Sequence, residues 1–410
     1  MRVMIVNVHF APESFGGATL VAEETAIRLR RSGHEVIVVT GTGEEHLPPG
    51  QMRRYEALDL PVVAIRHAAA PDPSSQYDNP AATGRFREIL DATRPDVVHF
   101  HALQGLGVGL VEAAQEAGIP TVVTLHDAWW LCERMFMVRG NGEYCGQVAI
   151  DPDVCATCIP HPVLHRERQE RSLRILNACA RVLTPSAFWR DIMVASGVDA
   201  ERAHVNANGV SRPAPGWRHP SHGGPVRLGF VGGVNDVKGY HQVVKALRSL
   251  RRSDYELLVV DSLMNLGGVG FTLEDWDVPG FVHIVPGYNR DSLDDFFGSI
   301  DVLLFPSQWK ESYGLTVREA ALRGVWPIAT DGGGTVEHIE DGVNGTVIPL
   351  DGGFHHLAAA IDAVLEDPSA FVPRLRDGHG GIATLDEQAA DLEQHLLAAT
   401  AAEASAAAER

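Results

Sequence analysis

The residues best placed to do chemistry lie late in the chain, where 306–345 reads PSQWKESYGLTVREAALRGVWPIATDGGGTVEHIEDGVNG. Glu311 falls in a loop after an apolar run that predicts a buried strand. Glu319 lies eight residues later, on a helix predicted to open near Gly314. A helix start presents unpaired backbone amides and about half a positive charge, so it can hold an anion. A carboxylate accepts hydrogen bonds from two adjacent hydroxyls at once, so Glu311 and Glu319 suit a neutral polyhydroxylated ligand. Upstream, 229–239 reads GFVGGVNDVKG: a strand, the pair Gly232-Gly233, a short loop with Lys238, then a helix. Glycines let backbone amides approach an anion closely, and Lys238 adds a full positive charge. By itself that stretch also fits a plain strand-to-helix turn with a surface lysine. Taken together, a phosphate site beside a diol site describes a nucleotide-sugar.

A second cluster has different chemistry. Four of the five cysteines fall close together, at Cys132, Cys145, Cys155 and Cys158, with Cys179 apart. The final C-x-x-C has the knuckle spacing of a tetrahedral thiolate site, and four thiolates suit zinc or, second, an iron–sulfur cluster. Gly140, Asn141, Gly142, Gly146, Pro152 and Asp153 make the intervening chain loop-like, so a structural zinc is expected to staple an insertion at about 130–160. The alternative is four separate thiols.

The elements that must position these residues alternate apolar runs with amphipathic stretches, the pattern of a mostly parallel sheet. Strands are predicted at Arg2 to Val8, Glu35 to Thr40, Val62 to Arg66, Asp96 to His101, Thr121 to Leu125 and Arg181 to Thr184. A helix carrying Ala22, Ala26 and Leu29 follows the first strand and stops at Gly33. A Pro- and Gly-dense linker at 213–225 separates this N-terminal domain, 1–212, from a second series at 226–380. There, strands are predicted at Val226 to Val231, Glu256 to Asp261, Val282 to Val285, Asp301 to Phe305 and Pro327 to Thr330. Helices are predicted at His241 to Arg251 and Leu315 to Arg323. Residues 381–410 form either a solvated helix or a tail. The fold class is α/β: two Rossmann-like doubly wound domains facing each other across a cleft, where such folds bind ligands.

Composition narrows the partners. The 410 residues are 45% hydrophobic and carry 34 Lys and Arg against 53 Asp and Glu, a net charge of −19. So negative a surface repels phosphate backbones and anionic lipid, which argues against nucleic-acid binding. No apolar run is long enough to span a bilayer, and the first residues read as a strand rather than a leader, so a cytoplasmic location is expected. Oligomeric state is not legible.

The motif set resembles the retaining glycosyltransferases of family 4, on the GT-B fold. Their glutamates separated by seven residues match Glu311 and Glu319. The E-A-x-x-x-G-x-P and D-x-G-G-x-x-E runs match Glu319, Ala320, Gly324 and Pro327, then Asp331, Gly333, Gly334 and Glu337, each with one extra residue. Pro12 to Gly17 and Gly33-His34-Glu35-Val36 match the family's opening. The resemblance implies that Glu319 binds the nucleotide ribose and Glu311 the donor sugar. It implies that amides from Ser312, Tyr313, Gly314 and Leu315 hold sugar and diphosphate, that Lys238 binds phosphate, and that Gly16 and Gly17 face the diphosphate. His126 resembles the active-site histidine; the alternative is a histidine bonded within its loop. The family usually has Arg where Gly233 stands, so the phosphate clamp is expected to be weaker unless another basic residue such as Arg290 or Arg318 substitutes. Trp129, Trp130 and Phe136 either stack on a sugar or pack a core. The activity implied is transfer from a nucleotide-diphosphate sugar to an unidentified acceptor, with retention and no catalytic metal. The competing readings are a sugar-nucleotide epimerase and an inactive sugar-binding protein on the same fold. A phosphorylase lacks its pyridoxal-lysine motif here, and a nicotinamide oxidoreductase would need G-x-G-x-x-G after the first strand.

Overall fold

The computed structural model describes residues 1–409 except 45, 46, 49, 68–75, 221 and 222, and only the backbone of 266, 377 and 403–409. Part of the predicted linker and the final residue therefore lie outside the described residues. The chain divides into two compact units. The first comprises Met1–Met135, Gln147–Gly209 and Leu385–Arg410; the second comprises Phe136–Gly146 and Val210–Thr384.

The first unit is built on eight strands: β1 (Arg2–Asn7), β2 (Glu35–Thr42), β3 (Met52–Ala57), β4 (Leu60–Arg66), β5 (Val97–Phe100), β6 (Thr121–Thr124), β7 (Arg181–Thr184) and β8 (Ala203–Val205). They lie in the order β3-β4-β2-β1-β5-β6-β7-β8. All pairs are parallel except β3 with β4. Helices α1 (Gly16–Arg31), α2 (Pro80–Thr93), α3 (Gly109–Glu116), α4 (Pro152–Cys155), α5 (Pro162–Ala178) and α6 (Ala187–Ala195) connect them. Val3 through Val6 have no exposed surface, which is why β1 reads as one continuous apolar run: its sheet is covered on both faces. The edge strand β3, MRRYEA, is largely polar and escapes prediction for that reason.

The second unit has six parallel strands: β9 (Val226–Phe230), β10 (Tyr255–Asp261), β11 (Phe281–Pro286), β12 (Val302–Phe305), β13 (Trp326–Thr330) and β14 (Thr346–Ile348). Their order is β11-β10-β9-β12-β13-β14. Helices α7 (Tyr240–Ser249), α8 (Leu293–Gly298), α9 (Leu315–Leu322) and α10 (Phe354–Glu366) belong to this unit. Counted from β9, this is the doubly wound order 3-2-1-4-5-6. Its topological switch point, the place where such sheets bind ligands, falls between β9 and β12. The two Rossmann-like units expected from the sequence are present.

Both units depart from contiguous segments. Residues 385–409 form α11 (Leu385–Glu409), a helix rather than a tail. Its Leu392, Leu396 and Ala399 are buried in the first unit's core with Ala22, Ala26 and Leu29 of α1. Arg28 Nε donates to Asp386 at 2.7 Å, and the His34 ring meets Glu393 at 3.0 Å. Segment 136–146, inside the expected insertion, belongs to the second unit, where the Phe136 and Trp309 rings lie 5.0 Å apart.

Candidate active site

In the second unit the two loops at the switch point are joined to each other. Gln308 N donates to Val237 O at 2.8 Å, and Ser307 Oγ lies 3.2 Å from the same oxygen. Between them sits Gly239, with φ of +84° and a hypothetical Cβ 2.0 Å from Pro306 O, so only glycine lets the two loops approach this closely. This seam brings Lys238 and Glu311 together: Lys238 Nζ donates to Glu311 Oε1 at 2.8 Å. The Glu311 side chain is 9% exposed and also accepts from Ser307 Oγ at 2.8 Å, while that of Lys238 remains 38% exposed. Gly232 is packed beneath, its hypothetical Cβ meeting the Phe230 ring at 2.4 Å and Lys238 Cβ at 2.8 Å. Gly233 has a φ of +56°.

The loop from Ser312 to Leu315 leads into α9 through Gly314, at φ +78°. Arg318 holds that loop in place. It is fully buried and donates to the carbonyl oxygens of Tyr313, Gly314 and Gly334, with its guanidinium 3.5 Å from the Tyr313 ring centroid. Burial pulls its pKa down to about 10. Arg318 therefore cannot replace the cation missing at Gly233: its two terminal nitrogens donate to backbone oxygens and its side chain has no exposed surface. It fastens the 313–314 turn to the Gly333–Gly334 turn, where Gly334 N in turn donates to Glu311 O at 3.0 Å. Glu319, on α9, is half-buried; burial pushes its carboxyl up to about 7, against the pull of Arg323. The Tyr288 hydroxyl approaches its Oε2 at 3.5 Å.

The first unit carries the other expected residues. Gly16 and Gly17 are exposed at the start of α1, just beyond β1. His126 follows β6, and its Nε2 lies 2.9 Å from Nδ1 of His101, at the end of β5. Burial lowers His126 to about 4 and raises its neighbour Asp127 to about 6. His99 and His101 were not singled out from the sequence. The available signal was two histidines with strand spacing in VVHFHA, at the carboxyl end of a buried run. Trp129 and Trp130 are 3% exposed each and pack the core.

The expected zinc or iron–sulfur site at Cys132, Cys145, Cys155 and Cys158 does not form. Among the described residues no group of three or more His, Cys, Asp or Glu is placed to hold a metal ion. Cys145 N donates to Met137 O at 2.8 Å. Cys132 ends a turn from Ala128, and Cys155 closes α4 with its sulfur 3.7 Å from Gln147 Nε2. No disulfide joins the five cysteines.

Residues 15–212 match the model of Glycosyltransferase Family 4, and residues 217–377 that of Glycosyl transferases group 1. The chain belongs to the GT-B glycosyltransferases of family 4. This glycosyltransferase is 28% identical over 375 residues to D-inositol 3-phosphate glycosyltransferase of Paenarthrobacter aurescens, covering 86% of this chain and 84% of that one. In fold it is similar to sucrose-phosphate synthase from Thermosynechococcus elongatus, with TM-score 0.67 at 16% identity and both chains fully covered. It is also similar to Anabaena HepE in complex with UDP-glucose, with TM-score 0.61 at 16% identity, again over the full length of both. The glycosyltransferase's sequence matches do not favour an epimerase or an inactive binding protein. Among its described residues no helix is long and apolar enough to cross a membrane.

Proposed function

We propose that this glycosyltransferase moves a sugar from a nucleoside-diphosphate sugar to an acceptor hydroxyl, with retention of the anomeric configuration. The observation that carries the reading is the Lys238–Glu311 pair, held at 2.8 Å across the switch point of the second unit. A cation and a carboxylate side by side match the two halves of such a donor. Lys238 meets the diphosphate, whose negative charge grows as the bond from the anomeric carbon to its oxygen breaks. Glu311 accepts hydrogen bonds from the sugar hydroxyls, and Glu319 from the ribose diol. The amides of Ser312 to Leu315, at the start of α9, add uncharged donors to the phosphates. The UDP-glucose held by HepE, a protein of the same fold, fits this class of donor. A panel of nucleoside-diphosphate sugars, offered with hydroxyl acceptors including inositol phosphate, is expected to yield nucleoside diphosphate and a product keeping the donor's anomeric configuration by NMR. An inverted product removes the retaining mechanism. Absence of nucleoside diphosphate release across the panel removes the donor class.

A further inference from the structure

In the first unit, two parallel strands end in a row of imidazoles. His99 and His101 share one face of β5 and its continuation; Thr124 and His126 share one face of β6 and its continuation. His99 Nε2 meets Thr124 Oγ1 at 2.7 Å, and the His99 and His101 ring centroids lie 4.1 Å apart. The His101 backbone is pinned by its amide, which donates to Val6 O at 2.8 Å. The His101 and His126 ring planes differ by only 12°, with centroids 5.2 Å apart and a nitrogen pair at 2.9 Å. That centroid separation exceeds the nitrogen–nitrogen distance by about two ring radii. The rings therefore meet edge to edge in one plane, the geometry of an N–H···N hydrogen bond rather than of a stack.

We infer that His101 is a positioning residue: its Nδ1–H donates to Nε2 of His126 and thereby fixes the proton of His126 on Nδ1. Each neutral imidazole has one donor and one acceptor nitrogen, so one proton serves this contact and its polarity must be chosen. His101 makes the choice. It is 1% exposed, and its Nε2 has no hydrogen-bond partner among the described residues. A proton on that nitrogen would be an orphaned buried N–H, the rarer and costlier defect; a lone pair there is better tolerated. The proton is therefore spent at Nδ1, on the bond to His126. Burial keeps both rings neutral, lowering His126 to about 4 and His101 well below the usual imidazole range, so neither becomes a two-proton donor near neutrality. His126 then offers a donor, not an acceptor, at Nδ1, which suits a hydroxyl or carbonyl oxygen. The inference rests on the reading of His126 as an active-site residue.

The test uses the full chain labelled with 15N-histidine, the His126 signals being assigned by their loss in His126→Gln. Two-bond nitrogen–proton correlations at neutral pH are expected to place the His126 proton on Nδ1. In His101→Ala that preference should disappear, with turnover down about tenfold and the donor KM little changed. In His101→Asn, whose amide lies where Nδ1 was, turnover should partly recover. In His101→Gln, whose amide lies at the Nε2 position, it should not. A wild-type His126 protonated on Nε2 overturns the inference, as does an unchanged tautomer in folded His101→Ala. If the tautomer responds to His101 but His126→Ala keeps full turnover, it is the reading of His126 that falls, and the positioning role falls with it.

Discussion

At the scale of single residues, Lys238 and Glu319 face different tests because their charges matter at different moments. The charge that Lys238 meets grows as the diphosphate departs, so its effect belongs to the transition state more than to binding. Lys238→Ala is expected to lower kcat by roughly a hundredfold while changing the donor KM far less. Steady-state kinetics with the preferred donor checks this, and a KM effect with intact kcat contradicts it. Glu319 is a carboxyl raised to about 7 by burial, and the sign of its pH effects follows. In the unfolded chain it ionises at the ordinary value, so its protonated form favours the fold. That contribution is complete below about 4.5 and is lost as pH rises through about 7. Binding runs the opposite way, because only the ionised group can accept from both ribose hydroxyls. Nucleoside diphosphate affinity is expected to rise with pH between 6 and 8, by up to about tenfold relative to Glu319→Gln, a comparison that cancels titration of the ligand itself. Parallel calorimetric titrations showing one slope for both proteins would contradict the assignment.

At the scale of elements, the site depends on how two loops of one sheet are joined. Gly239 is the tightest point of that seam. An alanine there needs both a left-handed backbone and a shift of Pro306, so Gly239→Ala is expected to cost at least about 2 kcal/mol in urea unfolding and to part Lys238 from Glu311. A variant of unchanged stability would mean the seam is looser than its 2.0 Å approach implies. The seam itself was not legible from the sequence, although its ends were. Strongly apolar strands such as β1, β10 and β12 can be read directly, because burial on both faces forces an unbroken apolar run. Lys238 and Glu311 were legible as chemistry, through glycine spacing and paired carboxylates. Their mutual contact was not, because a side chain's partner depends on which strands adjoin, and only the order β9-β12 supplies that. Arg318 shows the same limit from the other side. A cation beside a phosphate loop reads as a ligand, until packing turns both its terminal nitrogens onto backbone oxygens. The cysteines differ in kind: C-x-x-C is a local spacing, whereas a metal site needs side chains brought together from several turns, and among the described residues no such group is found.

At the scale of the whole molecule, the first unit is completed by the last helix. Removing residues 385–410 takes two buried leucines and their partner surface from its core, about 3–6 kcal/mol by burial alone. The truncated chain is expected to be cleaved by protease within the β1–β8 unit at concentrations that spare the full chain, while β9–β14 resists. Equal resistance of both units would show α11 to be dispensable. The same helix also imposes an order on biosynthesis. A ribosome delivers β1 through β8 first, yet the leucines that seal their core emerge only after every strand of the second unit has been made. At a typical 5–20 residues per second, that leaves the α1 surface uncovered for roughly ten seconds or more. During that interval Ala22, Ala26 and Leu29 are an apolar face awaiting its cover, and a chaperone that shields it would act on the nascent chain, well before any donor is bound.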